Sequence, residues 1–409
     1  MPAQGDSSAN GSEEDAKVRV FQPRRALPTD VVRPTRAEVH LDALRHNLAL
    51  LRKAAGSTPI WGVLKADAYG HGAKAAGRTL ERAGVDGLCV ALVEEGIELR
   101  QAGIQLPVLV MGGYYGNAHA ELVQHRLTPV LCDIDQVERL AHSVVHANPE
   151  QPFSCHIKVD TGMGRLGVRC EQISAFSQAI GRNSCLNVAG LMSHLANADG
   201  AGEAALAQPL RKFEEASLRL RAQGLHPGVR HLANSAALLR DRRTHFDLVR
   251  PGVALFGVDP LAGAGSALAG QLVPSMSVVS RVVGLRTLRT GDSVGYGSSF
   301  VAARPTVIAT VPMGYADGLS RALSNRGQAL VQGRRAGIVG NVSMDMVTLD
   351  VTSHPAVRLG DEVVFLGAQK GALGEDQIRA EDLAAWSGTI PWEVLTNISR
   401  RVPRFYREA

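Results

Sequence analysis

A chain of 409 residues is long for one ordinary core, which points to two domains unless one of them is a large barrel. Its 45% apolar and 20% charged content is that of a globular protein, and the net charge of +5 comes from arginines spread along the chain, with no basic block that would mark nucleic-acid or membrane binding. Five cysteines, odd in number, widely spaced and without a C-x-x-C pair, argue against a disulfide scaffold and a metal site, and no run approaches the ~20 apolar residues of a membrane span.

Residues 1–33 are polar, typified by Gln4-Gly5-Asp6-Ser7-Ser8-Ala9-Asn10-Gly11-Ser12-Glu13-Glu14-Asp15, and have no apolar segment behind a charged start. They read as a disordered tail and not as a secretory signal; with the cysteine usage this gives the expectation of a cytoplasmic protein. From Arg36 to Asp259, β-like and helical runs alternate. A helix opens near Asp42, a plausible cap, and continues with helix-spaced leucines. Strand-like runs follow at 59–64, 87–92, 107–111, 128–132, 154–159, 188–192, 229–232 and 246–249, with helical stretches such as 135–146 and 208–223 between them. Eight such units over residues 34–260 predict a (β/α)8 TIM-type barrel, with an open doubly wound sheet as the alternative. The Gly- and Ala-rich segment Val258–Gln271 is the natural linker. Beyond it, 270–409 is broken into short β-branched runs by Gly-Asp, Gly-Arg and Asn-Arg-Gly turns, which predicts a C-terminal mostly-β domain.

Within that frame, polar groups gather at the ends of the barrel strands. The first strand closes on Lys65, one of only seven lysines against thirty-seven arginines, and Tyr69 follows. An amine delivered by an apolar strand to a loop rim is suited to Schiff-base chemistry, since burial lowers its pKa. The fifth strand ends Lys158-Val-Asp-Thr-Gly-Met-Gly-Arg165, the sixth Ser193-His194, the seventh Asn234-Ser235 and the eighth Arg250-Pro-Gly252. Functional groups of such barrels sit on this rim, so an amine, an imidazole, a hydroxyl and two guanidiniums converge there. Gly162-Met-Gly164-Arg-Leu-Gly167 also fits the G-x-G-x-x-G dinucleotide pattern, but no acidic residue stands about twenty positions on, around Cys185-Leu-Asn-Val-Ala-Gly. Its glycines are better read as a tight turn that aims Arg165.

Taken together, Val63-Leu-Lys-Ala-Asp-Ala-Tyr-Gly-His-Gly72, Lys158 to Gly167 and Arg250-Pro-Gly252 resemble the alanine racemases, fold-type III pyridoxal-phosphate enzymes. Val294-Gly-Tyr-Gly297, Gly314-Tyr-Ala-Asp-Gly318, Ser343-Met-Asp345 and Arg401-Val-Pro-Arg404 extend the resemblance to nearly the whole chain outside the tail. It implies a homodimer with shared active sites that interconverts L- and D-alanine for peptidoglycan. Lys65 would hold pyridoxal 5'-phosphate and act as base on one face of the substrate, and Tyr296 of the partner subunit would act on the other. His194 resembles the group that lowers the pKa of that phenol. Arg250 would meet the pyridine nitrogen. Tyr69, Ser235, Asn234, Gly252 and Val253 would bind the cofactor, its phosphate above all. Arg165 and the amide of Met344, the latter also from the partner, would clamp the substrate carboxylate. Lys158 matches a lysine that is carbamylated in many members to steady Arg165; simple pairing with a nearby acid is the alternative. Trp392, in Ile390-Pro-Trp392-Glu-Val, departs from the family's tyrosine at the cofactor phosphate, so a broader serine and alanine racemase is an alternative. A related decarboxylase, which would use a cysteine in the β domain, is disfavoured because no cysteine follows Cys185. A non-catalytic pyridoxal-phosphate carrier would resemble a lone barrel.

Overall fold

A computed structural model of the chain describes residues 32–147, 149–200, 204–261 and 266–408. The predicted tail therefore lies almost wholly outside the described residues, as does the middle of the Gly- and Ala-rich linker. No described helix is long and apolar enough to cross a membrane.

Seven parallel strands, β2 (Trp61–Val63), β3 (Gly87–Val90), β4 (Val108–Val110), β5 (Thr128–Leu131), β6 (Phe153–Lys158), β7 (Leu186–Met192) and β8 (Val229–His231), pair in sequence order. β2, β3 and β4 are continuously apolar because helices cover the outer face and side chains fill the inner one, whereas β6 and β8 also carry polar residues. The eighth position is not a regular strand. Phe246 takes a positive φ of 48°, and the segment that follows closes the ring through a few backbone hydrogen bonds to both neighbours. Asp247 N–H reaches Arg230 O at 3.0 Å, and on the other side Trp61 N–H reaches Val249 O and Val63 N–H reaches Pro251 O, both at 2.9 Å. Arg250 thus leaves a closing segment that is fastened on both flanks.

The described first strand, β1 (Arg36–His40), is not a barrel strand at all. It pairs antiparallel with Met276–Arg281 and parallel with Arg404–Arg407, inside the ten-stranded sheet of the C-terminal part. Thus the described chain passes from the second unit into the barrel and returns. Arg33 holds this start down through an ion pair of 2.7 Å to Asp317, whose side chain is fully buried between Arg33 and Arg401. Helix Leu41–Ala55 begins at His40, so Asp42 sits in its first turn and not at the cap, where its charge still faces the unpaired amides. On the same helix, the buried amide of Asn47 bonds Leu255 O, Val273 O and Val273 N–H at 2.8–3.0 Å, stapling the chain on both sides of the linker.

The mostly-β expectation holds for the C-terminal part, which opens with strands Met276–Arg281 and Gly284–Leu288. Two short helices close it, Ala380–Ser387 and Pro391–Asn397. The second starts at Pro391, a residue suited to a first helical position, and brings Trp392 of the C-terminal part to the barrel mouth.

Candidate active site

Lys65 opens a turn of unusual hand. Ala66, Asp67, Ala68 and Tyr69 all have φ between 53° and 56°, one turn of left-handed helix made without a glycine. Each such residue costs roughly 1–2 kcal/mol because its Cβ crowds the next carbonyl, so four cost about 4–8 kcal/mol. The surroundings offset this. Gly70 N–H returns to Ala66 O at 3.0 Å and Gly72 N–H to Asp67 O at 2.8 Å. Ala73 N–H donates to the Asp67 carboxylate at 2.7 Å, and His71 Nδ1 donates to Ala68 O and Tyr69 O, both at 3.0 Å. The turn sends the amine of Lys65 into a cavity and buries the Tyr69 ring against Phe256, centroids 5.1 Å apart. Burial first, and then the nearby Arg165, hold the Lys65 amine below its usual pKa, with Glu95 opposing. A lysine so placed is closer to the neutral, nucleophilic form.

Across the barrel floor runs a chain of three side chains, Arg250, His231 and His156, of which the sequence reading named Arg250 and missed both histidines. Arg250, only 2% exposed, donates through Nη1 to His231 Nδ1 at 2.7 Å and through Nη2 to Ser193 O at 2.9 Å. Guanidinium can only donate, so His231 accepts at Nδ1 and carries its proton on Nε2, which donates to His156 Nδ1 at 2.8 Å. Both imidazoles are neutral: burial, then Arg250, pushes His156 down to about 3 and His231 well below its usual value. Burial also lowers Arg250, to about 10, which leaves it charged at neutral pH. A Cβ at Gly190 would stand 2.6 Å from the His156 ring, so glycine there makes the space. The signal was in the sequence: His156 and Lys158 alternate on one strand face, where a barrel interior normally carries apolar residues.

One cavity of about 240 Å³ gathers Lys65, Tyr69, His194, Asn234 and Ser235 with Arg250, Gly252, Val253 and Trp392. At one end the Ser235 hydroxyl accepts Gly252 N–H at 2.8 Å and Ala254 N–H at 3.4 Å, leaving its own proton to donate. The Gly252 amide is therefore already used, contrary to expectation, while no acceptor faces the Val253 amide among the described residues. A Cβ on Gly252 would fall 2.3 Å from the Tyr69 hydroxyl, so this closeness requires glycine. Asn234 serves first as the cap of helix Ser235–Arg240, its side chain accepting Ala237 N–H at 3.0 Å. Hydroxyls and amides at one end, a buried guanidinium at the floor and an amine on the wall suit an aromatic aldehyde that carries a phosphate and a ring nitrogen. Burial, then Arg250, Lys65, Lys158 and Arg165, push His194 down to about 3, so the positive field at this wall comes from the arginines and lysines.

The remaining site residues lie outside this cavity. Arg165 is exposed on the loop after β6, where Gly162, Gly164 and Gly167 all have positive φ, and a Cβ on Gly167 would meet Asp160 N at 2.8 Å. The Asp160 carboxylate pins that loop by accepting Gly162 N–H at 2.9 Å and Gly164 N–H at 3.1 Å. These glycines shape a turn, as the sequence suggested. Lys158 is buried in the barrel, its ammonium donating to Met111 O at 3.5 Å, and burial lowers its pKa. Tyr296 and Met344 stand on the C-terminal part, 76% and 51% exposed. Around Met344 the backbone is fixed, with Tyr315 N–H bonding Ser343 O at 3.0 Å and Ala316 N–H bonding Met344 O at 3.1 Å. Because the peptide is planar and trans, the Met344 N–H points away from that contact.

Comparison with known proteins matches residues 39–260 to the alanine racemase N-terminal domain and 275–406 to the alanine racemase C-terminal domain. The chain belongs to the alanine racemase family. It is 56% identical to the alanine racemase of Sorangium cellulosum over 383 residues, which is 92% of this chain and all of that one. Among solved structures, the alanine racemase of the D-cycloserine producer Streptomyces lavendulae aligns with a TM-score of 0.85 at 33% identity, covering 93% of this chain and 98% of the other. The Bartonella henselae alanine racemase, solved with covalently bound pyridoxal phosphate, aligns at 0.81 and 30%, covering 91% and 99%. The family resemblance read from the sequence is thereby borne out, and with it the isomerase class and the barrel-plus-β fold.

Proposed function

We propose that this member of the alanine racemase family interconverts L- and D-alanine with two bases, Lys65 on one face of the α-carbon and Tyr296 of the partner subunit on the other. Racemisation needs a proton to leave one face and return to the opposite one, so two groups must flank the substrate. The observation that carries the reading is the division of the site. Lys65 enters a formed cavity, whereas Tyr296 stands 76% exposed on the second unit and does not line that cavity in its own chain. A two-fold homodimer that presents each C-terminal part to the other barrel supplies what each lacks.

Pyridoxal phosphate, when bound, supplies the electron-withdrawing ring that makes the α-proton removable. Lys65 takes or returns that proton at its amine. Arg165 and the outward amide of Met344, the latter from the partner subunit, bind the substrate carboxylate. Arg250, still cationic at neutral pH, would stand against the ring nitrogen, disfavour its protonation and so restrain side reactions. Ser235, Tyr69 and the Val253 amide hold the phosphate, and Trp392 closes the cavity. Lys158 has no described ion pair, and its lowered pKa favours the neutral amine that reacts with carbon dioxide, which supports carbamylation over acid pairing. Free cysteines throughout the described residues support a cytoplasmic setting, where D-alanine feeds peptidoglycan synthesis.

Polarimetry on a panel of L-amino acids, with carbon dioxide followed in parallel, tests this reading. Alanine should lose its rotation without gas release, and the protein should be yellow, the colour vanishing in Lys65→Ala. Carbon dioxide release, or a colourless protein that gains no colour with added pyridoxal phosphate, would overturn it.

A further inference from the structure

The left-handed turn that carries Lys65 is held from two sides by groups outside it. On one side Arg404 Nε donates to Gly70 O at 3.0 Å, and Gly70 presses so close that a Cβ would stand 2.4 Å from Leu395 O. On the other side stands a single carboxylate. Glu95, on helix Val93–Gln101, accepts Ala66 N–H through Oε1 at 2.6 Å. Through Oε2 it accepts Ala91 N–H at 2.8 Å and Leu92 N–H at 3.1 Å. One side chain thus joins the loop after β2 to the loop after β3. The Ala66 amide is the peptide that leaves Lys65, the junction where the strand changes hand. Glu95 itself lies on the wall of a surface groove behind the turn, not in the cavity that Lys65 enters.

We propose that Glu95 is a positioning residue for Lys65: by anchoring the Lys65–Ala66 peptide it keeps the left-handed turn in place and so fixes the direction from which the amine reaches the cavity. Three N–H groups meet two oxygens, which an ionised carboxylate satisfies because it brings no donor of its own. A glutamine would turn its NH2 toward at least one of these amides. The turn cannot make up the loss internally, since its four residues all sit in a region that L-residues avoid. Without the anchor it relaxes, and the lysine loses its aim while the barrel strands stay paired.

The proposal rests on Lys65 being the reacting amine, so the test joins a kinetic readout to one that needs no activity. Glu95→Gln and Glu95→Asp proteins, with and without pyridoxal phosphate, are examined by amide hydrogen exchange on peptides covering 64–72 and by alanine kinetics. In Glu95→Gln the segment should exchange about tenfold faster or more, with barrel peptides outside 64–72 and the neighbouring 90–96 loop unchanged, because a hydrogen bond to a charged acceptor has been lost locally. The kcat should fall about tenfold with KM within about threefold, since misplacing a reacting group costs turnover more than binding. Glu95→Asp, which keeps the charge on a shorter arm, should lie between the two, and it decides the matter in the same terms if Glu95→Gln does not fold. Unchanged exchange in 64–72, or faster exchange spread evenly over the barrel, would overturn the proposal. If the wild-type protein failed to racemise alanine, the exchange result would still decide the role of Glu95.

Discussion

The two regions that contribute to the site are built in opposite ways. At the barrel mouth Arg250 is 2% exposed and held by His231 and Ser193, and the strained turn under Lys65 is fixed by neighbours on both sides. On the C-terminal part Tyr296 is 76% exposed, and its backbone carbonyl is tied to Asn341 Nδ2 at 2.7 Å while its ring stays open. The barrel thus finishes its half within one chain, whereas the other half is a presented surface. Preorganisation that requires burial lies where a single chain can bury it; in the proposed dimer the exposed groups would be covered by a second copy.

Cutting into the presented half should give the largest effect. Tyr296→Phe should lower racemisation by about 10²–10⁴-fold, the usual worth of a positioned base. Exchange of the α-proton with solvent should fall far more from one enantiomer than from the other; equal losses would count against two bases on opposite faces. The sharing itself is open to a mixing experiment. Lys65→Ala and Tyr296→Ala proteins should each be inactive, but in the proposed dimer a hybrid has one site with both wild-type residues. Free recombination of equal amounts makes about half of the dimers hybrid, so about a quarter of wild-type activity should return. If nothing returns although hybrids form, each site takes both bases from one chain.

The buried half should instead be sensitive to acid. His71, His156 and His231 are at most 2% exposed, and burial pushes them to about 4, about 3 and well below the usual value. Between those values and about 6.5 the unfolded chain binds protons that the folded chain refuses, so stability falls as pH falls. With these three groups and His194, likewise held at about 3, the slope near pH 5 should be about 5 kcal/mol per pH unit, all of it absent above about pH 7. Denaturant titrations at pH 7, 6 and 5 would show this, and a flat profile would mean that the imidazoles are not held neutral.

How much of this was legible in the sequence follows the same division. Apolar strand runs and polar strand ends are local patterns, so the barrel, its rim residues and most of the C-terminal strands could be read directly. What escaped depends on partners distant in sequence. Arg36–His40 looks like any short strand, and only its pairing with 276–281 and 404–407 assigns it to the second sheet. His156 and His231 are ordinary residues until Arg250 meets them across the barrel. The hand of the 66–69 turn could not be read at all, because without a glycine nothing in Ala-Asp-Ala-Tyr favours positive φ.

Trp392 sits where the two regions meet, and its replacement should have the smallest effect. It comes from the C-terminal part of the same chain yet forms wall of the barrel cavity, partly buried and with an N–H as its single polar group. A wall residue acts on substrates through the space it leaves, and a difference of one small group in a pocket is worth about 10–200-fold in kcat/KM. Trp392→Tyr shortens the wall while Lys65 and Arg250 keep their partners. The kcat/KM for serine should therefore rise about tenfold relative to alanine, with the alanine value itself changing less. An unchanged ratio would place the substrate side chain away from this wall, and selection would then rest on the groups that the partner subunit brings.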